Sequence, residues 1–139
     1  AISKAAAELD FAPTFQFGHP KVFELASRLA TMAPGDLNYA FFCNSGTEAN
    51  EAAIKLARKH GHLVRGIDTS SERGPLILSA QASFHGRTLA TVTATGQPKY
   101  HQGFEPMVQG FRYFPYNDTA AFETLLASPW PGQGTVRVR

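Results

Sequence analysis

The sequence has a single cysteine, Cys43, in 139 residues. That excludes a disulfide framework, and its place in an apolar run predicts a buried thiol. No apolar run approaches the roughly 18 residues a spanning helix needs, so no membrane partner is expected. A signal-peptide pattern is also missing, and the expected location is a reducing compartment, the cytoplasm. A net charge of +2 is too small to argue for nucleic acid or a polyanionic surface. Neither a Walker A loop nor G-x-G-x-x-G is present. His19 has no partners at metal-ligand spacing and reads as a turn residue, so no metal is expected.

What the sequence does have is organised around residues 41–57, FFCNSGTEANEAAIKLA. Residues 39–43 form a compact apolar run of strand length, and a helix is predicted over 47–60. Ser45 followed three residues later by Glu48 is a capping-box pattern, in which each side chain satisfies a backbone donor of the other. The remaining first-turn amides, near Gly46 and Thr47, point along the axis at the positive end of the helix dipole, where a phosphate is stabilised. Gly46 allows close backbone approach and Thr47 adds a hydroxyl. A capped helix after a strand occurs throughout α/β domains, and most such turns bind nothing. The turn by itself leaves both readings open.

Before this stretch, the sequence begins with a short alanine-rich turn and three aromatics, Phe11, Phe15 and Phe17, which suit packing. Pro20 fits the first position of a helix over 20–32, whose apolar stripe includes Val22, Phe23, Leu25, Leu29 and Met32. The central helix is expected to turn Ala49, Ala52, Ala53, Leu56, Ala57 and His60 towards a sheet. Glu51 and Lys55 would pair on its solvent side. Gly61 marks its expected end, and 62–74 reads as a surface loop. A second strand is predicted over 76–80, a helical stretch over 88–95 and a ring-rich loop over 99–110. A third strand is expected over 112–114, and a helix over 120–127 capped by Asn117-Asp118. Pro129 onward breaks regular structure.

This alternation predicts an α/β fold with a mainly parallel sheet and flanking helices. Ligands of such folds sit at the carboxyl ends of strands, where residues 44–47 and 82–87 can line one crevice. Phe84 could cover a flat ring, His85 is titratable, and Arg87 could grip a carboxylate with a bidentate fork. Taken singly, Phe84 also fits a core, His85 a loop and Arg87 a solvated surface.

Three stretches resemble the class III aminotransferases, pyridoxal-phosphate enzymes of fold type I. They are FFCNSGTEANEAAIKLARKHG, SFHGRTLATVTATGQPKYHQGFEP and FPYND. The last two are similar to the acetylornithine aminotransferase branch. LDFAPTFQFGHPKVFELASRLATMAPGDLN looks more like the ω-amino-acid–pyruvate branch. The resemblance covers residues 9–126. It implies that Gly46 and Thr47 bind the phosphate of pyridoxal 5'-phosphate with Ser45 beside them, that Phe84 stacks on the pyridine ring, and that Arg87 binds the substrate α-carboxylate. It also implies amino transfer from an amino acid such as acetylornithine, ornithine or an ω-amino acid to a 2-oxo acid, and a homodimer at full length. Residues 1–33 would belong to the family's small domain and 34–139 to an incomplete cofactor-binding large domain.

The family's Schiff-base lysine and the aspartate that pairs with the pyridine nitrogen match nothing here. Lys4, Lys21, Lys55, Lys59 and Lys99 lie outside that motif. The chain therefore looks like an N-terminal portion of a transaminase, inactive alone. The rival expectation is a truncated, non-catalytic folding or dimerisation module. A generic nucleotide-phosphate module is disfavoured, because no second glycine-rich loop or ribose-binding acid is present. WPGQGTVRVR has no family counterpart.

Overall fold

The structure, a computed structural model, describes residues 1–13, 17–66 and 75–128. Phe15, most of the expected 62–74 loop and the segment from Pro129 onward lie outside the described residues. The chain divides into two compact units, Ala1–Phe42 and Cys43–Arg139.

In the first unit, the alanine-rich start forms a true helix, α1 (Ile2–Glu8), with Lys4 and Glu8 3.9 Å apart. Helix α2 (Pro20–Met32) has the predicted bounds. His19 is its N-cap: Nδ1 accepts from the Lys21 amide at 3.1 Å, and Nε2 lies 3.0 Å from the Leu9 carbonyl. One imidazole tautomer satisfies both, accepting at Nδ1 and donating from Nε2. The apolar stripe of α2 is real but open, with Phe23 and Met32 61% and 75% exposed.

Residues 39–43 are not a strand. A strand exists only where its amides and carbonyls find a ladder, and no described strand pairs with this segment. Tyr39 is 99% exposed. Cys43 is likewise exposed rather than buried, with its thiol 3.7 Å from the Ser45 carbonyl.

The second unit carries the sheet. Strands β1 (Ile77–Ala80) and β2 (Phe111–Phe114) run parallel, with Ile77 opposite Phe111 and Ala80 opposite Phe114. Between them the chain crosses over through helix α4 (Leu89–Ala94) and a 3-10 turn, Pro98–Tyr100, inside the expected loop region. Gly96 pairs with Gln81 so closely that a Cβ there would stand 2.8 Å from the Gln81 Cα. Only glycine fits this contact. Helix α5 (Thr119–Ala127) is capped by Asp118, which accepts from the Ala121 amide at 2.8 Å. It packs on β2 through Phe122 and Phe114, whose rings lie 5.0 Å apart.

The buried centre is α4 and its end: Thr91, Val92, Thr93, Ala94 and Thr95. Three of these five carry hydroxyls, and each is satisfied. Thr93 Oγ1 donates to the Leu89 carbonyl at 2.7 Å and Thr95 Oγ1 to the Thr91 carbonyl at 2.9 Å. Thr91 Oγ1 accepts from the Thr88 amide at 3.0 Å. Burial without orphaned polar atoms makes this core tolerable.

Helix α3 (Gly46–Leu63) begins as predicted and runs past Gly61. Its inward face differs from the expectation. Ala49, Ala53, Leu56, Ala57 and His60 are exposed, Leu56 by 63%. Side chains that reach the rest of the unit include Thr47, Asn50, Glu51 and Arg58, at the spacing that puts residues on one helix face. Glu51 accepts from the Thr88 hydroxyl instead of pairing with Lys55. Arg58 donates to the Gln109 carbonyl and lies 5.6 Å over the Phe111 ring. A polar contact needs a partner, and the loop before α4 supplies several. Alanine makes no such demand.

Candidate active site

The capping box at the head of α3 is formed in full. The Glu48 amide donates to Ser45 Oγ at 3.2 Å, and the Glu48 carboxylate accepts from the amides of Ser45 at 3.0 Å and Asn44 at 2.6 Å. This turns the Glu48 carboxylate back along the chain. The amides of Gly46 and Thr47 stay outside these bonds, as the first donors of a helix do. A Cβ on Gly46 would meet nothing within 4 Å, so approach to these donors is open. Thr47 is half-buried.

The 82–87 segment is a tightly held loop. Ala82 has a φ of 62° and Gly86 one of 137°. The His85 backbone is fixed from both sides: its amide donates to Thr95 Oγ1 at 2.9 Å and its carbonyl accepts from Asn50 Nδ2 at 2.7 Å. The His85 ring turns to Ser83, with Nδ1 3.4 Å from the hydroxyl, and does not line the neighbouring cleft. It fits the loop reading.

Phe84 and Arg87 do enter that cleft, a space of about 530 Å³ bounded also by Leu89, Lys99, Tyr100 and Phe104. Phe84 is 54% exposed, too open for a core residue, and stands edge-on to Tyr100 at 5.8 Å. The Arg87 guanidinium lies over the Tyr100 ring at 5.8 Å and the Lys99 ammonium at 4.9 Å. Tyr100 thus stages two cations over one ring, which favours both by cation–π attraction. The sequence reading missed Tyr100, Lys99 and Phe104 as site residues. Their only signal was an accumulation of rings after Pro98.

Ser45, Gly46 and Thr47 do not line the cleft. They reach it through Gly86, which borders it and packs against the Thr47 side chain. Two free amides, an open glycine and an aromatic face with a guanidinium beyond it fit a planar group bearing a phosphate. Of the lysines, Lys99 alone lines the cleft, and its ammonium sits over Tyr100. Among the described residues, no group of His, Cys, Asp and Glu could hold a metal ion, and no helix is long and apolar enough to cross a membrane.

Comparison with known proteins gives one answer. The family model for class III aminotransferases matches residues 1–128. The chain is 78% identical over 86 residues to an acetylornithine aminotransferase from Parasynechococcus marenigrum, covering 62% of this chain and 19% of that protein. It is 60% identical over 109 residues to the acetylornithine aminotransferase of Thermosynechococcus vestitus, covering 78% of this chain and 25% of the relative. Among solved structures, an (S)-enantioselective omega-transaminase from Thermomicrobium roseum superposes with a TM-score of 0.69 at 37% identity, over 82% of this chain and 25% of the other. The two-stranded parallel ladder and its helices thus have the α/β fold of the fold type I aminotransferases. The chain spans about a fifth to a quarter of the length of these relatives. On the match to residues 1–128, the chain belongs to the class III aminotransferase family.

Proposed function

We propose that the chain forms the phosphate- and carboxylate-binding part of a pyridoxal-phosphate-dependent aminotransferase. This enzyme moves an amino group from acetylornithine, ornithine or a related amino acid to a 2-oxo acid. The observation that carries the reading is the packing of Gly86 on Thr47, which sets the free amides of α3 beside the loop bearing Phe84 and Arg87. Gly46 and Thr47 hold the phosphate, with Ser45 fixing the turn by its cap. Phe84 covers one ring face and excludes water from it. Arg87 orients the amino acid through its carboxylate, a geometry a lysine would not reproduce. Bound pyridoxal phosphate supplies an electron sink for bond breaking at the substrate α-carbon.

In this reading residues 1–33 join the small domain and 34–139 the large one, in a cytoplasmic homodimer. The lysine that carries the cofactor lies in a motif that matches none of Lys4, Lys21, Lys55, Lys59 and Lys99. The 139-residue chain alone then transfers no amino group. A non-catalytic folding or dimerisation module is the second reading, favoured by the exposed Phe23, Met32 and Phe41.

The test separates cofactor from substrate in the enzyme containing this chain. Thr47→Ala should weaken cofactor retention by about 1–2 kcal/mol, the value of one charge-assisted hydrogen bond. Arg87→Lys should keep cofactor absorption and raise KM for α-carboxylate substrates roughly tenfold, with a different effect on β-alanine. Loss of cofactor from Arg87→Lys at unchanged amino-acid affinity would refute the assignment. Amino transfer by the purified 139-residue chain would refute the missing-lysine argument.

A further inference from the structure

Helix α3 and residues 85–88, the loop and the N-cap of α4, meet at three places. Thr47 packs on Gly86, Asn50 Nδ2 donates to the His85 carbonyl at 2.7 Å, and Glu51 accepts from Thr88 Oγ1. Thr47, Asn50 and Glu51 are the i, i+3 and i+4 positions of one helix face. The partners His85, Gly86 and Thr88 lie within this one stretch. Asn50 is half-buried, and of the three it is the residue that grips the loop's backbone through a hydrogen bond. A side-chain bond to a main-chain carbonyl fixes the peptide itself, which a packing contact does not.

We infer that Asn50 is a positioning residue: its carboxamide holds the His85 peptide so that Phe84 and Arg87 keep a fixed place relative to the amides of Gly46 and Thr47. The inference rests on the proposed roles of those residues for its functional consequence, but not for its structural one. The peptide before His85 is pinned by Thr95, whose hydroxyl accepts from the His85 amide at 2.9 Å and donates to the Thr91 carbonyl at the same distance. Thr95 is fully buried and belongs to the end of α4. The loop is therefore tied at one residue, through its two flanking peptides, to two helices. Removing Thr95 would disturb the core as well. Removing the Asn50 donor releases only the α3 side.

Asn50→Asp tests this, since it keeps the shape, deletes the donor and faces a carbonyl oxygen with a carboxylate. The first readout is amide hydrogen exchange in the cofactor-free full-length enzyme. Exchange at residues 84–88 should quicken roughly tenfold, as expected for one broken half-buried hydrogen bond. Exchange in the middle of α3 and in β1 should stay unchanged. The second readout is kinetic: KM for α-carboxylate substrates should rise several-fold, while affinity for pyridoxal phosphate, measured by titrating the apoprotein, falls by a smaller factor, because Phe84 is loosened but the amides of Gly46 and Thr47 stay in place. Asn50→Ala, which removes the donor without adding charge, should give the same pattern and stands in if Asn50→Asp does not fold.

Unchanged exchange at 84–88 would overturn the inference whatever the kinetics. So would an unchanged KM in Asn50→Asp when Arg87→Lys raises it. Faster exchange with KM unmoved in both variants supports the tether and refutes the substrate role of Arg87 instead.

Discussion

Gly86 lies against Thr47 with no room for a side chain. A Cβ at Gly86 would stand 2.6 Å from Thr91 Oγ1 and closer still to the Thr47 hydroxyl, and its φ of 137° is one that L-residues rarely adopt. Gly86→Ala therefore meets both steric overlap and backbone strain. A cost of about 1–3 kcal/mol is expected from the strained backbone alone. A fall in the urea midpoint of the enzyme, with weaker cofactor retention through the displaced Thr47, checks it. A variant as stable as wild type would mean that the loop can move away from α3.

The hydroxyl of Thr93 is a branch point. It donates to the Leu89 carbonyl at 2.7 Å and accepts from the Val108 amide at 3.1 Å. Thr93→Val preserves shape but leaves the Val108 donor without an acceptor, a loss of about 1–3 kcal/mol. Thr93→Ser keeps the hydroxyl and should recover the hydrogen-bonding part. Equal destabilisation in the two variants, read by chemical denaturation, would mean that the methyl, which Ser lacks and Val keeps, contributes as much as the hydroxyl.

Tyr113 donates to the Thr93 carbonyl, and burial raises its hydroxyl pKa above the ordinary 10.0. The folded state thus holds the proton longer than the unfolded chain. The resulting stabilisation is complete below pH 10.0 and is lost as pH rises towards the raised value, because the unfolded state ionises first. Tyr113→Phe cannot ionise. The stability gap between wild type and Tyr113→Phe should accordingly narrow between about pH 8 and about pH 11. A gap constant over that range would show that Tyr113 titrates alike in both states.

Tyr100 carries Arg87 and Lys99 on its ring. Tyr100→Leu keeps an apolar wall but removes the π face, which is worth about 0.5–1 kcal/mol at an exposed site. KM for the amino acid should rise about two- to fivefold with cofactor spectrum unchanged. No change in KM would separate the ring from the positioning of Arg87.

Local chemistry was legible in the sequence where its partners are also local. Ser45 and Glu48 announced the start of α3, Asp118 announced α5, and Pro20 announced α2, because each cap involves residues three or four apart. Residues 76–80 were readable as a strand from the compact run Leu76-Ile77-Leu78, and 112–114 from the β-favouring rings around Arg112. The same rule failed for 39–43, whose pairing depends on strands that no described residues provide. Helix α3 was assigned the wrong face, since its alanines suggested close packing. The face actually used is marked by Thr47, Asn50 and Glu51, polar side chains whose partners lie 35 to 39 residues away in sequence. Residues 44–47 and 82–87 do meet, through Thr47 and Gly86, but not at the end of the strand expected over 39–43. Tyr100 was not foreseeable, because a 3-10 turn has no periodicity to read.

The three-point seam between α3 and its loop has a thermodynamic consequence. If the proposed phosphate site and the proposed carboxylate site are coupled through this seam, the coupling is reciprocal. If a phosphate on the amides of Gly46 and Thr47 tightens the loop, it also tightens the grip of Arg87 on a carboxylate. By the same factor, a carboxylate held by Arg87 must then raise affinity at the helix terminus. Such a cooperativity would be readable from either end, by titrating one anion at two fixed concentrations of the other.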